Sequence, residues 1–149
     1  MAGEPLLRVR GLTVEFDGRA GRLRAVDGIG FEVFPEETLA LVGESGCGKT
    51  VTGLSLLRLV PHPPGHITAG EVVLAGQDLL ALPERELRRR RGRDIAMIFQ
   101  EPMTALNPVF SIGSQLGAVL RRHQGLSRRA ARARALALLE QVGIPEPAR

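Results

Sequence analysis

The sequence predicts an α/β fold, and three features carry that prediction. Alternating apolar and polar residues dominate the first part of the chain. A glycine-rich loop then separates a short apolar run from a helical segment, and the last part is rich in alanine, leucine and arginine at helical spacing. Together they imply an antiparallel β layer, an α/β core built around the loop, and the start of a helical subdomain.

Taken in order, Leu7-Arg8-Val9-Arg10 and Leu12-Thr13-Val14-Glu15-Phe16 alternate on either side of Gly11, so they read as one bent strand or two short ones. Asp17 to Gly21 is a turn, Leu23 to Val26 returns as a strand, and Phe31 to Phe34 alternates again before Pro35 breaks the run. Thr38-Leu39-Ala40-Leu41-Val42 is short and apolar, which predicts a buried strand, and a helix follows from Lys49 to about Leu59. Pro61 to Gly65 is an irregular connector, Gly70 to Ala75 a strand, Gly76-Gln77-Asp78 a turn, and Pro83 to Arg91 a helix with its proline in the first turn. Asp94 to Phe99 reads as a second strand buried on both faces. Helices are expected from Ile112 to about His123 and from Ser127 to about Val142, the latter capped by Ser127 and ended by Gly143 and Pro145.

Gly43-Glu44-Ser45-Gly46-Cys47-Gly48-Lys49-Thr50 fits G-x-x-x-x-G-K-[ST], the phosphate-binding loop of nucleoside-triphosphate enzymes. Its glycines let successive N–H groups turn inward at an anion, and the N-terminus of the helix that follows favours negative charge. Lys49 would neutralise the β- and γ-phosphates and the Thr50 hydroxyl would ligate Mg²⁺. Lys49 is also the only lysine in a chain whose other cations are arginines, apart from histidine. A compact ammonium is kept for the one place where a point charge suits phosphate.

Composition excludes several other classes. The 149 residues suffice for one domain with a core, and a single cysteine rules out an internal disulfide framework. No apolar run approaches the ~18 residues of a membrane span, and Ala2-Gly3-Glu4-Pro5 is no secretory signal. The expected location is therefore cytoplasmic, with docking on a membrane protein still open. A formal charge of +4 raises nucleic acid as a partner, yet the absence of Trp and Tyr leaves few stacking surfaces, so none is expected.

Beyond the loop, Gln100 ends the second predicted buried strand, where an α/β sheet often places a functional side chain. Phe16 is open to two readings, a core residue or a platform for an adenine. Cys47 is a small residue beside the phosphates, and no histidine has the spacing of a base for it. His62, His66 and His123 form no metal-ligand pattern with it. Arg88 to Arg91, with Arg93, reads as the solvated face of a helix. Leu136-Ala137-Leu138-Leu139-Glu140 mimics an acid-tipped strand that holds Mg²⁺, but it continues the arginine-alanine helix without a turn signal.

The chain resembles the N-terminal half of the ATP-binding subunits of ABC importers, in the dipeptide, oligopeptide and nickel branch. The general likeness lies in Ala25-Val26-Asp27-Gly28-Ile29, LALVGESGCGKT and Gln100. The branch-specific likeness lies in Pro61 to Gly70 and in RGRDIAMIFQEPMTALNPVFSIGSQ, Arg91 to Gln115, with EPMTALNP the most specific stretch. The last of these argues against a relative acting in nucleic-acid repair or translation.

The resemblance implies a partial nucleotide-binding domain over 6–149, divided into a β layer and P-loop core (6–100) and a Q-loop with the start of the helical subdomain (101–149). It implies ATP and Mg²⁺ as cofactors, Gly43 to Thr50 as the Walker A loop, and Gln100 as the Q-loop residue serving metal and water. Phe16 falls near the family's adenine-stacking aromatic. Implied partners are transmembrane permease subunits, a second ATP-binding subunit in a homo- or heterodimer, and indirectly an extracytoplasmic substrate-binding protein, at the cytoplasmic face of the membrane. Two positions depart from the pattern: Glu36 replaces a usual glycine in a tight turn, and Thr50 replaces a commoner serine. No signature motif and no Walker B acid occur before Arg149, so the resemblance implies a truncated product or a fragment. ATP binding without turnover, or partner binding alone, is the alternative to an active ATPase.

Overall fold

The computed structural model describes residues 3–19, 21–100 and 105–147. The chain forms two compact units, Met1–Arg88 and Arg89–Arg149.

The first unit is built on a four-stranded antiparallel sheet of β1 (Leu7–Gly18), β2 (Gly21–Val33), β3 (Gly65–Leu74) and β4 (Gln77–Asp78), in the order β2-β1-β3-β4. The two alternating segments around Gly11 are one bent strand. Gly11 has φ +56°, and the ladder with β2 shifts register between Val9 and Leu12. A bulge that needs positive φ takes glycine at little cost. The bend keeps Val9, Leu12 and Val14 buried on one face despite the extra residue, with Val26 opposite Val14 and Val72 opposite Val9. Leu57, Leu74, Leu79, Leu82 and Leu87 are also buried in this unit. Partners across strands share a face, so Glu15, Asp17, Arg22, Arg24 and His66 lie together on the other one. There Arg24 pairs with Glu15 at 3.2 Å, Arg22 with Asp17 at 3.1 Å and His66 with Asp17 at 2.6 Å.

β2 is longer than its sequence indicates. Leu23 to Val26 and Phe31 to Val33 belong to a single strand that runs through Asp27, Gly28 and Gly30.

Two predicted buried strands are not formed. Thr38 to Val42 belongs to no strand and is exposed throughout, with Val42 at 90%. Asp94 to Phe99 contains only an isolated bridge from Arg91 to Ile95, and Ile98 is 95% exposed. An apolar run records the surroundings it suits, whereas a strand exists only where a neighbour completes its ladder. Neither segment has one among the described residues. Among the described residues the sheet is antiparallel, the expected β layer, and these two segments add no strand to it.

Helix α1 (Lys49–Leu56) stops three residues before its predicted end, with Leu57 as its C-cap. Its buried Thr52 and Ser55 hydroxyls donate to Gly48 O at 2.9 Å and Val51 O at 2.7 Å, so neither is left unsatisfied. Helix α2 (Glu84–Arg90) matches its prediction to within a residue at each end and carries Arg88 and Arg89 in solvent.

The second unit contains α3 (Ile112–Gln124) and α4 (Arg128–Gln141). Ser127 caps α4 as expected, its hydroxyl accepting from Ala130 N at 3.2 Å, and Ser111 does the same for α3. Gly125, at φ +65°, closes α3. Leu120, Ala131 and Ala135 are buried between the helices, with Leu116, Leu126 and Leu138 against them. Leu136 to Glu140 lies within α4, so the apparent acid-tipped strand is a helix.

Candidate functional site

The loop begins where the exposed apolar run ends. Gly46 and Gly48 have φ +83° and +90°, and Gly48 is the N-cap of α1. Cys47 N donates to Glu44 O at 3.3 Å, closing a turn within the loop. A β-carbon on Gly43 would lie 2.5 Å from Cys47 Sγ, and one on Gly48 would overlap the carbonyl oxygen of Ala25. The loop is thus folded tightly on itself and pressed against β2.

Lys49 turns back over this loop. Its ammonium donates to Gly43 O and Glu44 O, both at 2.7 Å, and lies 3.5 Å from Cys47 Sγ. These are neutral acceptors, so the positive charge is held in place without being neutralised. Cys47 is exposed and free. Thr50 is exposed in the first turn of α1. One hydroxyl is a sparse ligand set, which suits Mg²⁺ because that ion keeps waters and takes phosphate oxygens. No cluster of three or more His, Cys, Asp or Glu able to hold a metal occurs among the described residues.

Phe16 is half-buried at the end of β1, opposite Leu23 on β2 and Gly65 on β3. A β-carbon on Gly65 would lie 2.8 Å from Phe16 Cε1 and 2.5 Å from Val60 Cγ1, so the missing side chain is what admits both. Two residues before Phe16, Val14 pairs with Val26, which packs beside Gly48. The sheet therefore connects Phe16 to the loop within one unit. Gln100 belongs to the second unit, is exposed, and sits at a bend rather than at the end of a strand.

Two further arrangements lie outside the motifs, one in each unit. Glu36 adopts φ +63°, so the turn that usually has glycine forms with glutamate instead. Glu37 N donates to Phe34 O at 3.2 Å and Glu37 Oε2 accepts from Phe34 N at 2.6 Å, closing that turn twice. The second arrangement is an open groove of about 900 Å³ in the helical unit, lined by Gly117, Arg121, Arg132, Leu136 and Leu139 among others. Its residues all lie between Ser111 and Pro147, with no motif to reveal them.

Charge is held locally as well. A hydrogen bond from Arg93, aided by the charges of Arg93 and Arg90, lowers the pKa of Asp94 below the usual carboxylate value. A hydrogen bond from His66, aided by Arg22, does the same to Asp17.

The chain is 46% identical to the oligopeptide transport ATP-binding protein OppD of Bacillus subtilis, over 95% of this chain and 40% of that protein. It is 49% identical to a putative peptide import ATP-binding protein of Brucella melitensis, over 100% of this chain and 46% of the relative. It therefore spans less than half the length of these relatives. Among solved structures, the dimeric post-hydrolysis state of the ATP-binding cassette MJ0796, bound to ADP and Pi, aligns with a TM-score of 0.79 at 22% identity. That alignment covers 94% of this chain and 58% of the other, and it shows a shared fold. The family described as ABC transporter matches residues 26–149. By that match the chain belongs to the ABC transporter family.

Proposed function

We propose that Gly43 to Thr50 bind the phosphates of Mg·ATP, and that the intact protein couples ATP hydrolysis to the import of peptides or related small solutes across a membrane. The observation that carries this reading is the placement of Lys49, whose ammonium is held over the glycine loop by two neutral carbonyls. A phosphate entering the loop would draw that charge from the Gly43 and Glu44 oxygens to its own, while loop N–H groups and the start of α1 meet the other oxygens. Thr50 would hold Mg²⁺, which neutralises charge on the β- and γ-phosphates when bound. Phe16 would stack on the adenine through the exposed part of its ring. Gln100 would serve the metal and the attacking water.

Phosphoryl transfer to water needs positioning and charge stabilisation. No acid-tipped strand is present among the described residues to complete that site, so the chain alone binds nucleotide without rapid turnover. The implied partners are permease subunits, a second ATP-binding subunit and, indirectly, a substrate-binding protein, at the cytoplasmic face. The names of the relatives support transport, and the likeness to a dimeric cassette supports pairing. No helix among the described residues is long and apolar enough to cross a membrane, which is consistent with a peripheral subunit. Nucleic acid is not among the partners.

Calorimetric titration with Mg·ATP of the wild type and Lys49→Ala tests the binding site. Charged hydrogen bonds contribute about 1.5–3 kcal/mol each, so the variant should bind at least about tenfold more weakly. Equal affinity removes Lys49 from its role. Phosphate release at the rate of an intact ATPase would overturn the separation of binding from turnover.

A further inference from the structure

The positive charge of this chain is confined to one stretch. Between Ala105 and Pro147 stand Arg121, Arg122, Arg128, Arg129, Arg132 and Arg134, against two acids, Glu140 and Glu146. The rest of the chain has fourteen Lys or Arg and fourteen Asp or Glu, so the whole of the formal +4 resides here. Elsewhere arginines are balanced locally, as in Arg8 with Glu32, Arg24 with Glu15 and Arg93 with Asp94. The six arginines are all exposed, and none forms an ion pair with another described residue. Charge of one sign left unpaired on a surface creates a field for a partner of the other sign.

Three of the six converge. Arg121 comes from the last turn of α3, Arg128 and Arg132 come from the first turns of α4, and all three line the open groove of about 900 Å³. Arg121 Nε donates to Gly117 O at 3.2 Å, which ties that side chain to its own helix and leaves its two NH₂ groups to other acceptors. Guanidinium groups hold phosphate oxygens in pairs, with geometry that an ammonium lacks. Leu136, Leu139 and Ile144 line the same groove, so it is cationic in one part and apolar in another. Its size is that of a ligand cleft, typically about 300–1,000 Å³.

A phosphate bearing hydrocarbon fits both parts. A nucleic-acid strand would bring polar sugars to the leucines, and no aromatic residue from Ser111 to Pro147 could stack on a base. The buried face of α4, with Ala131 and Ala135, is already taken up against Leu120 of α3. The helix therefore has no such face left to sink into a bilayer, and contact is confined to headgroup depth.

We propose that this groove takes an anionic phospholipid, its phosphate held by Arg121, Arg128 and Arg132 and the upper part of a chain lying over Leu136, Leu139 and Ile144. The remaining arginines draw the unit to the negatively charged leaflet. That the leaflet is the cytoplasmic one rests on the import reading above; the chemistry of the groove does not.

The test uses the full chain and two triple variants of equal charge. One carries Arg121→Gln, Arg128→Gln and Arg132→Gln, and the other Arg122→Gln, Arg129→Gln and Arg134→Gln. Sedimentation with vesicles of phosphatidylcholine and phosphatidylglycerol in equal parts measures binding, against phosphatidylcholine alone. The wild type should bind the mixed vesicles and not the neutral ones. The groove triple should bind at least about tenfold more weakly, and the outer triple several-fold less affected than that. Helicity and Mg·ATP affinity should be those of the wild type in both. Equal losses in the two triples overturn the groove in favour of a diffuse field, and no loss in either overturns the lipid contact outright. Dihexanoyl phosphatidylglycerol below its micellar concentration should bind the wild type more tightly than glycerol phosphate; equal binding overturns the apolar part of the site. A duplex oligonucleotide bound more tightly than the mixed vesicles at the same salt concentration overturns lipid as the partner. Binding of Mg·ATP without binding of vesicles removes the lipid site alone, whereas the reverse result supports the lipid site and counts against the nucleotide site.

Discussion

No β-carbon fits between the α-carbon of Gly48 and the carbonyl oxygen of Ala25. The constraint is double, because Gly48 also has φ +90°. The left-handed conformation alone costs an L-residue about 1–2 kcal/mol, and the obstacle here is backbone, which cannot rotate away.

Gly48→Ala should therefore destabilise the first unit by at least about 2 kcal/mol, from strain together with displacement of α1 from β2. Urea unfolding with a probe in that unit checks it. A loss under half of this would mean that the loop moves away from Ala25 at little cost.

Glu36 offers the opposite case. It holds φ +63° in a turn closed by Glu37 and Phe34. Glu36→Gly removes the strain but adds freedom to the unfolded chain, for a net gain of about 0.5–1 kcal/mol. A rise in thermal midpoint is the expected result, with Mg·ATP affinity unchanged.

Ser127 and Ser111 each satisfy a backbone N–H at the start of a helix, at 3.2 Å in both cases. Replacing either by alanine should cost about 1 kcal/mol. The loss should appear in the helicity of the second unit and leave the antiparallel sheet unaffected.

Asp94 gives an acid-dependent contribution. Its carboxyl is held below the ordinary value by Arg93 and Arg90, which lie 2.7 Å and 3.0 Å away. A lowered folded-state pKa means that the contribution is present in full above the ordinary value of about 3.9, and disappears as pH falls through the lowered one. Asp94→Asn should thus lose stability at neutral pH and show a shallower acid decline than wild type below about pH 4. Denaturant midpoints across that range measure it. Because Asp17 shares the same direction, some acid dependence should persist in the variant.

How much of this was legible in the sequence depended on where the information resides. Alternation in β1, the starts of α3 and α4 and the Ser127 cap are set by residues close together, and their positions agree with expectation. Thr38 to Val42 and Asp94 to Phe99 differ because strand formation depends on neighbours that their own residues do not specify. The full extent of β2 was concealed by Asp27, Gly28 and Gly30, where alternation fails and the ladder with β1 shifts register, although the strand continues through them. The site divides in the same way. Lys49 and its glycines are proposed from one octapeptide, whereas the double closure of the Glu36 turn by Glu37 and Phe34 required the fold.

Leu39, Leu41 and Val42 stand in water immediately before the glycine loop. Unpaired backbone beside apolar side chains is a template for other chains. The consequence is colloidal: as concentration rises, this stretch gives the protein an adhesive border, and self-association through it would immobilise the entrance to Gly43. Dilute preparations and an added solubilising fusion should then recover nucleotide affinity that concentrated ones lose.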